Sequence, residues 1–119
     1  MKSFERLVKE YQKAKAEKET RKEILEQILK RKNFDKLLGF GKQCPDKIKA
    51  SIINRLIELA TTIDQFGAIL SLASFSNERK NLGPKILTAA QEKCGVNEKN
   101  YPKMMGMERI IDSWLGYNR

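Results

Sequence analysis

The sequence predicts an all-α protein of five or six helices, stacked as antiparallel helical hairpins in a short α-solenoid-like array behind a long N-terminal helix. Three observations predict it. Apolar residues recur at i, i+3 and i+4 through most of the chain, and no segment shows the period-two alternation of a strand. One short pattern occurs three times, as Phe34-x-x-Leu37-Leu38-Gly39-Phe40, Phe66-x-x-Ile69-Leu70-Ser71-Leu72 and Tyr101-x-x-Met104-Met105-Gly106-Met107. Its copies lie 32 and 35 residues apart, a period that marks stacked supersecondary units, which make interaction surfaces. Finally, capping residues, glycines and prolines punctuate the chain between the periodic segments.

Residues 3–32 contain no Gly or Pro and are rich in Lys, Glu, Ala, Leu and Gln, all good helix formers. They are expected to form one long helix, or two helices joined near Thr20. Apolar residues sit at both ends, Phe4, Leu7, Val8 and Tyr11 at one and Ile24, Leu25, Ile28 and Leu29 at the other. The stretch from Gln12 to Glu23 is expected to be solvated all round and supported by pairs such as Glu17 to Arg21.

Asn33 is placed to cap the next helix, which Gly39 and Gly41 limit to a few turns. Pro45 at a first helical position and Asp46 in the first turn open a helix to about Ala60, with Ile48, Ile52, Leu56 and Leu59 facing inward and Ile53 and Ile57 widening that face. Thr62-Ile63-Asp64-Gln65 fits a capping box, so a further helix carries Phe66, Ile69, Leu70, Leu72 and Ala73. Ser74-Phe75-Ser76-Asn77 reads as a turn. Gly83-Pro84 opens or kinks the helix that ends at Cys94-Gly95, with Glu78–Leu82 readable either way. After a break over Asn97–Tyr101, a last helix holds the three methionines, Ile110, Ile111, Trp114 and Leu115, and stops at Gly116.

The repeat extends beyond the short pattern. Ile48-x-x-x-Ile52-Ile53-x-x-Leu56-x-Glu58 aligns with Leu82-x-x-x-Ile86-Leu87-x-x-Ala90-x-Glu92, so each unit is a short helix followed by a second, antiparallel one. Over residues 24–115 the sequence resembles the helical-hairpin repeats of bacterial α-solenoid proteins, a class that includes tetratricopeptide and HEAT-like arrays. The Trp-Leu-Gly and Pro positions of the tetratricopeptide consensus are absent. The resemblance implies a curved stack with a binding groove. Residues 1–32, the basic N-terminal helix, and residues 33–119, the repeat domain, are expected to make a single domain.

The chain of 119 residues carries 24 Lys/Arg against 15 Asp/Glu, a net charge of +9. Residues 1–32 hold 11 basic against 6 acidic residues, more than half of that excess. Such a balance attracts polyanions, whether nucleic acid or an acidic protein. No apolar run approaches the ~18 residues of a membrane span, and the first residues lack a secretory signal's apolar stretch, so a cytoplasmic location away from membranes is expected. Cys44 and Cys94 are read as partly buried small hydrophobes at helix ends rather than a disulfide.

With no histidine in the chain, catalysis by imidazole and Cys-His zinc sites are excluded, and neither a cofactor nor a metal is expected. Gly39-Phe40-Gly41-Lys42 lacks the spacing and the following Ser/Thr of a phosphate-binding loop. Glu58 and Glu92 hold equivalent repeat positions and are read as surface or pairing residues. The candidate sites are therefore interaction surfaces. Lys15, Lys18 and Lys22 share a face of the predicted first helix, with Lys9 and Lys13 beside them, a stripe suited to backbone phosphates. The 17 lysines against 7 arginines disfavour base reading. Met104, Met105, Met107 and Trp114, near the end where no further unit follows, suit an adaptable protein-binding patch. The leading expectation is a non-enzymatic protein-interaction or adaptor module. The alternatives are a non-specific RNA- or DNA-binding accessory protein and a homo-oligomer joined through the apolar ends of the first helix.

Overall fold

The computed structural model describes residues 2–13 and 18–116. Those residues form seven helices and no strand: α1 (Phe4–Lys13), α2 (Lys18–Leu29), α3 (Phe34–Gln43), α4 (Asp46–Leu59), α5 (Ile63–Ala73), α6 (Arg79–Cys94) and α7 (Tyr101–Leu115). The helical class is as expected, and the count exceeds five or six because the N-terminal segment supplies two helices. In one continuous helix Tyr11 and Arg21 would stand about 15 Å apart along the axis. Instead the Arg21 guanidinium lies 4.6 Å from the centroid of the Tyr11 ring, and α1 packs on α2. α1 ends at Lys13 and α2 begins at Lys18, ahead of Thr20. Glu17, the expected partner of Arg21, lies outside the described residues.

The apolar ends of this segment are consumed by the chain's own core. Phe4, Leu7 and Tyr11 are buried, as are Ile24 and Ile28. Phe4 and Tyr11 meet Phe40 of α3 edge-on, with centroids 6.3 and 5.6 Å apart and interplanar angles of 89° and 85°, an arrangement that aligns ring edges with a neighbour's electron-rich face.

The local signals set most boundaries. Asn33 Oδ1 accepts from the Lys36 amide at 3.1 Å and caps α3. At α5 the capping box is complete: the Gln65 amide donates to Thr62 Oγ1 and the Thr62 amide to Gln65 Oε1, both at 3.2 Å. Pro45 sits one residue before the helix, at the cap of α4. Gly95 follows α6 with φ +73°, a conformation L side chains rarely adopt. Residues 79–82 are helical, and Pro84 lies inside α6 on its exposed side, where solvent can satisfy the carbonyl its missing N–H leaves unpaired.

α3 is short, at 10 residues, as expected, and it runs through both Gly39 and Gly41. Gly41 permits a close approach: a Cβ there would meet Leu72 Cδ2 at 2.9 Å and Ile52 Cγ2 at 3.1 Å. Gly83 does the same between α6 and α7, where a Cβ would come within 3.1–3.2 Å of Ile111 and Trp114.

Beyond sequential neighbours, α3 packs on α5, α5 on α7 and α4 on α6. The repeat pattern maps onto α3, α5 and α7 in register. Its third apolar position is buried each time as Phe40, Leu72 and Met107, and its first as Leu37, Ile69 and Met104. In the longer repeat, Ile52 and Ile86 are both buried, as are Leu56 and Ala90.

The aromatic position does not repeat its environment. Phe34 and Phe66 are buried, whereas Tyr101 is 53% exposed. Phe66 is covered by α6, whose Lys93 Nζ stands 5.9 Å from its ring centroid. Among the described residues no helix follows α7 to cover Tyr101 in the same way.

Candidate interaction surface

The small residue of the repeated pattern, Gly39, Ser71 or Gly106, lies between two inward-facing positions and so turns outward. A Cβ added at Gly39, Gly67 or Gly106 would meet nothing within 4 Å. Gly39 borders a cleft against α1, whereas Gly67, Ser71 and Gly106 border troughs beside α5. One cleft of about 580 Å³ lies between α3 and α5, lined by Leu38, Lys42, Lys49, Ala68, Leu72 and others. A second of about 590 Å³ lies between α5 and α7, with Gly67, Leu70, Gly106, Met107, Ile110 and Trp114 among its walls. Ser71 and Phe75 line both.

Phe75 is the ridge between them. It is 78% exposed, the most exposed large apolar residue among the described residues. Its backbone is nonetheless held: the Phe75 amide donates to the Leu72 carbonyl at 3.2 Å and the Ser76 amide to that of Ala73 at 2.9 Å. Ser74 Oγ donates to the Ser71 carbonyl at 2.6 Å. Two residues on, the Asn77 amide donates to the Asp46 carboxylate at 3.1 and 3.3 Å, tying the turn to the start of α4. Ser76 is buried beneath, its hydroxyl accepting from the Glu78 amide at 3.0 Å. A bulky ring projecting from an anchored turn costs little further ordering when it is covered.

The floor of the first cleft contains a buried lysine. Lys49 Nζ donates to the Gly41 carbonyl at 3.0 Å, satisfying an end of α3. At the edge of the second, Lys103 pairs with Asp64.

The proposed methionine patch is divided by the fold. Met104 and Met107 are buried and belong to the core; Met105 and Trp114 are half-buried. Met107 and Trp114 reach the wall of the α5–α7 cleft, and the exposed apolar groups there are Phe75 and Ile110. Phe75 was missed from the sequence because it falls in a turn, outside any helical period. A large aromatic flanked by Ser74, Ser76 and Asn77, with no apolar face to join, was the available signal.

The lysine candidates are divided as well. Lys9 and Lys13 belong to α1, and Lys18 and Lys22 to α2. Lys15 and the side chain of Lys18 lie outside the described residues. Lys9 and Lys13 instead line a cleft of about 450 Å³ with Arg21, Tyr11 and Phe40. Glu58 and Glu92 are exposed and share a cleft on the α4–α6 side, and Glu58 pairs with Arg55 at 2.8 Å.

Cys44 and Cys94 are free thiols. Burial pushes the Cys44 thiol up to about 11, against the opposing pull of Lys49 and Arg21. Among the described residues no group of three His, Cys, Asp or Glu side chains is placed to hold a metal, and no helix is long and apolar enough to cross a membrane. No protein-family model, curated protein or solved structure matches the chain.

Proposed function

We propose that α3–α7 form a short stack of antiparallel helical hairpins acting as a non-enzymatic adaptor, which binds another protein in the paired clefts around Phe75. The observation that carries this reading is Phe75 itself, largely exposed on a tethered turn between two apolar clefts. The packing of α3 on α5, α5 on α7 and α4 on α6 supports the stacked arrangement. A rigid aromatic flanked by open troughs is the type of feature that anchors protein interfaces. Two free thiols fit a reducing compartment such as the cytoplasm.

The test compares proteins recovered with the wild-type chain, with Phe75→Ser and with Gly106→Leu after cross-linking in the native cell. Gly106→Leu fills the α5–α7 trough where a new side chain meets open space. Loss of one common protein from both variants supports the reading. Recovery of the same protein set from all three overturns it, and recovery of nuclease-sensitive material alone transfers the function to nucleic-acid binding.

A further inference from the structure

Several cations have carboxylate or carbonyl partners: Lys2 and Arg6 with Glu10, Lys36 with Glu5, Arg55 with Glu58, Lys103 with Asp64, Lys49 and Lys93 with helix-end carbonyls. The cleft between α1, α2 and the α3–α4 connection instead gathers three cations on one concave surface. Lys9, Lys13 and Arg21 all line it, no carboxylate does among the described residues, and none of the three makes an ion pair there. Lys9 and Lys13 are exposed, and they stand one helical turn apart on α1.

Arg21 is the fixed member. Its guanidinium is stacked on the Tyr11 ring, and that ring is itself clamped edge-on against Phe40. Its Nε is buried without a hydrogen-bond partner among the described residues. A planar fork held by an aromatic face loses little freedom when it takes up an oxyanion. The neutral thiol of Cys44 on the same wall supplies no counter-charge. Gln12 and Gln43 add amide donors at the mouth. Three like charges beside apolar surface repel one another, and a bound anion relieves that repulsion.

We propose that this cleft binds the phosphate group of a small phosphorylated ligand, with Arg21 as the oriented donor and Lys9 and Lys13 closing over the charge. The volume of about 450 Å³ lies in the range of small-ligand sites. A concave, single cluster fits one compact anion better than the extended track that a nucleic-acid backbone needs. This site is independent of the clefts around Phe75.

The experiment titrates the full chain with pyrophosphate, with ATP and with a single-stranded oligonucleotide at low salt, read by calorimetry and by amide chemical shifts. Pyrophosphate or ATP is expected to shift the amides of Gln12, Gln43 and Cys44. The double variant Lys9→Gln, Lys13→Gln is expected to bind at least about tenfold more weakly. Lys80→Gln with Lys99→Gln, an equal charge change at exposed positions elsewhere, should leave affinity unchanged. Arg21→Lys keeps the charge and removes the fork, so it should also weaken binding while a thermal melt shows the chain still folded. Equal loss in both double variants, or shifts spread over the whole basic surface, would reduce the effect to net charge and overturn the site. No binding at millimolar ligand overturns it too, as does oligonucleotide affinity above that for ATP with shifts running beyond the cleft.

Discussion

Lys93 of α6 and Ala60 at the end of α4 are joined by a hydrogen bond of 3.0 Å from Nζ to the Ala60 carbonyl. The same ammonium donates to the carbonyls of Ile57 at 2.8 Å and Glu58 at 2.7 Å. All three of its protons are thus directed at the carbonyl end of α4, where unpaired acceptors and the negative pole of the helix dipole coincide. Lys49 does the same for α3 through Gly41. Each cap lies on a neighbouring helix, so it fixes one element against another as well as satisfying acceptors.

Replacing Lys93 with Met keeps the aliphatic stem and removes the donors. We expect a loss of about 1–2 kcal/mol in urea unfolding, since hydrogen bonds from charged donors are worth more than neutral ones but this side chain is partly solvated. Lys85→Met, on the same helix and exposed, should change stability by less than about 0.5 kcal/mol.

Glycine substitutions should divide by environment. Ala normally stabilises a helix interior by up to about 1 kcal/mol over Gly, and Gly67→Ala and Gly106→Ala, with open space around the new methyl, should show that gain. Gly41→Ala drives a methyl to 2.9 Å from Leu72 and 3.1 Å from the stiff β-branched Ile52. It should cost about 1–3 kcal/mol. Thermal melts of the three variants test the contrast, and a stabilised Gly41→Ala would contradict the close packing of α3 with α4 and α5.

Acidification should loosen α1 first. Lys36 of α3 donates to Glu5 of α1 at 2.8 Å, and that hydrogen bond holds the Glu5 carboxyl below its ordinary 4.5. Glu10 is lowered in the same sense by Lys2. A depressed carboxylate contributes stability above its unfolded value, and the contribution fades as pH falls through the lower folded one. Both pairs are exposed, so the effect is small and salt-sensitive. Protection factors of the amides of residues 4–13, taken against the intrinsic exchange rate at each pH from 6 down to about 3, should fall before those of α4 and α5, and Glu5→Gln should remove part of the pH dependence.

The two thiols should react at different rates. Cys44 is buried and its thiol is held neutral well above pH 8, and only the thiolate is a good nucleophile. Cys94 is half-buried, its Sγ 3.7 Å from the Thr61 carbonyl. With a thiol-specific reagent at pH 8, Cys94 should be modified first, and Cys44 on the timescale of local opening. Raising pH from 9 toward 11 should lower stability, because the unfolded Cys44 ionises before the folded one. Cys44→Ser should flatten that part of the profile.

Features under short-range control were legible in the order of the amino acids. Asn33 and the Thr62–Gln65 box opened helices, and Gly95 and Gly116 ended them, at or beside the expected residues, because each of these caps is satisfied by atoms within about four positions. Inward positions such as Leu37, Ile69 and Met104 followed from helical period alone. Tertiary structure decided the rest. The N-terminal segment divides into α1 and α2 because Tyr11, Phe40 and Arg21 pack together, and long-range contacts of that kind leave no periodic trace. Met104 went to the core while Phe75 stayed outside, since burial depends on which helix lies opposite. Lysines of similar appearance became a helix cap at Lys93, a buried donor at Lys49 and a cleft lining at Lys9 and Lys13. A charge's role is set by the groups that surround it in space, and local sequence does not encode those.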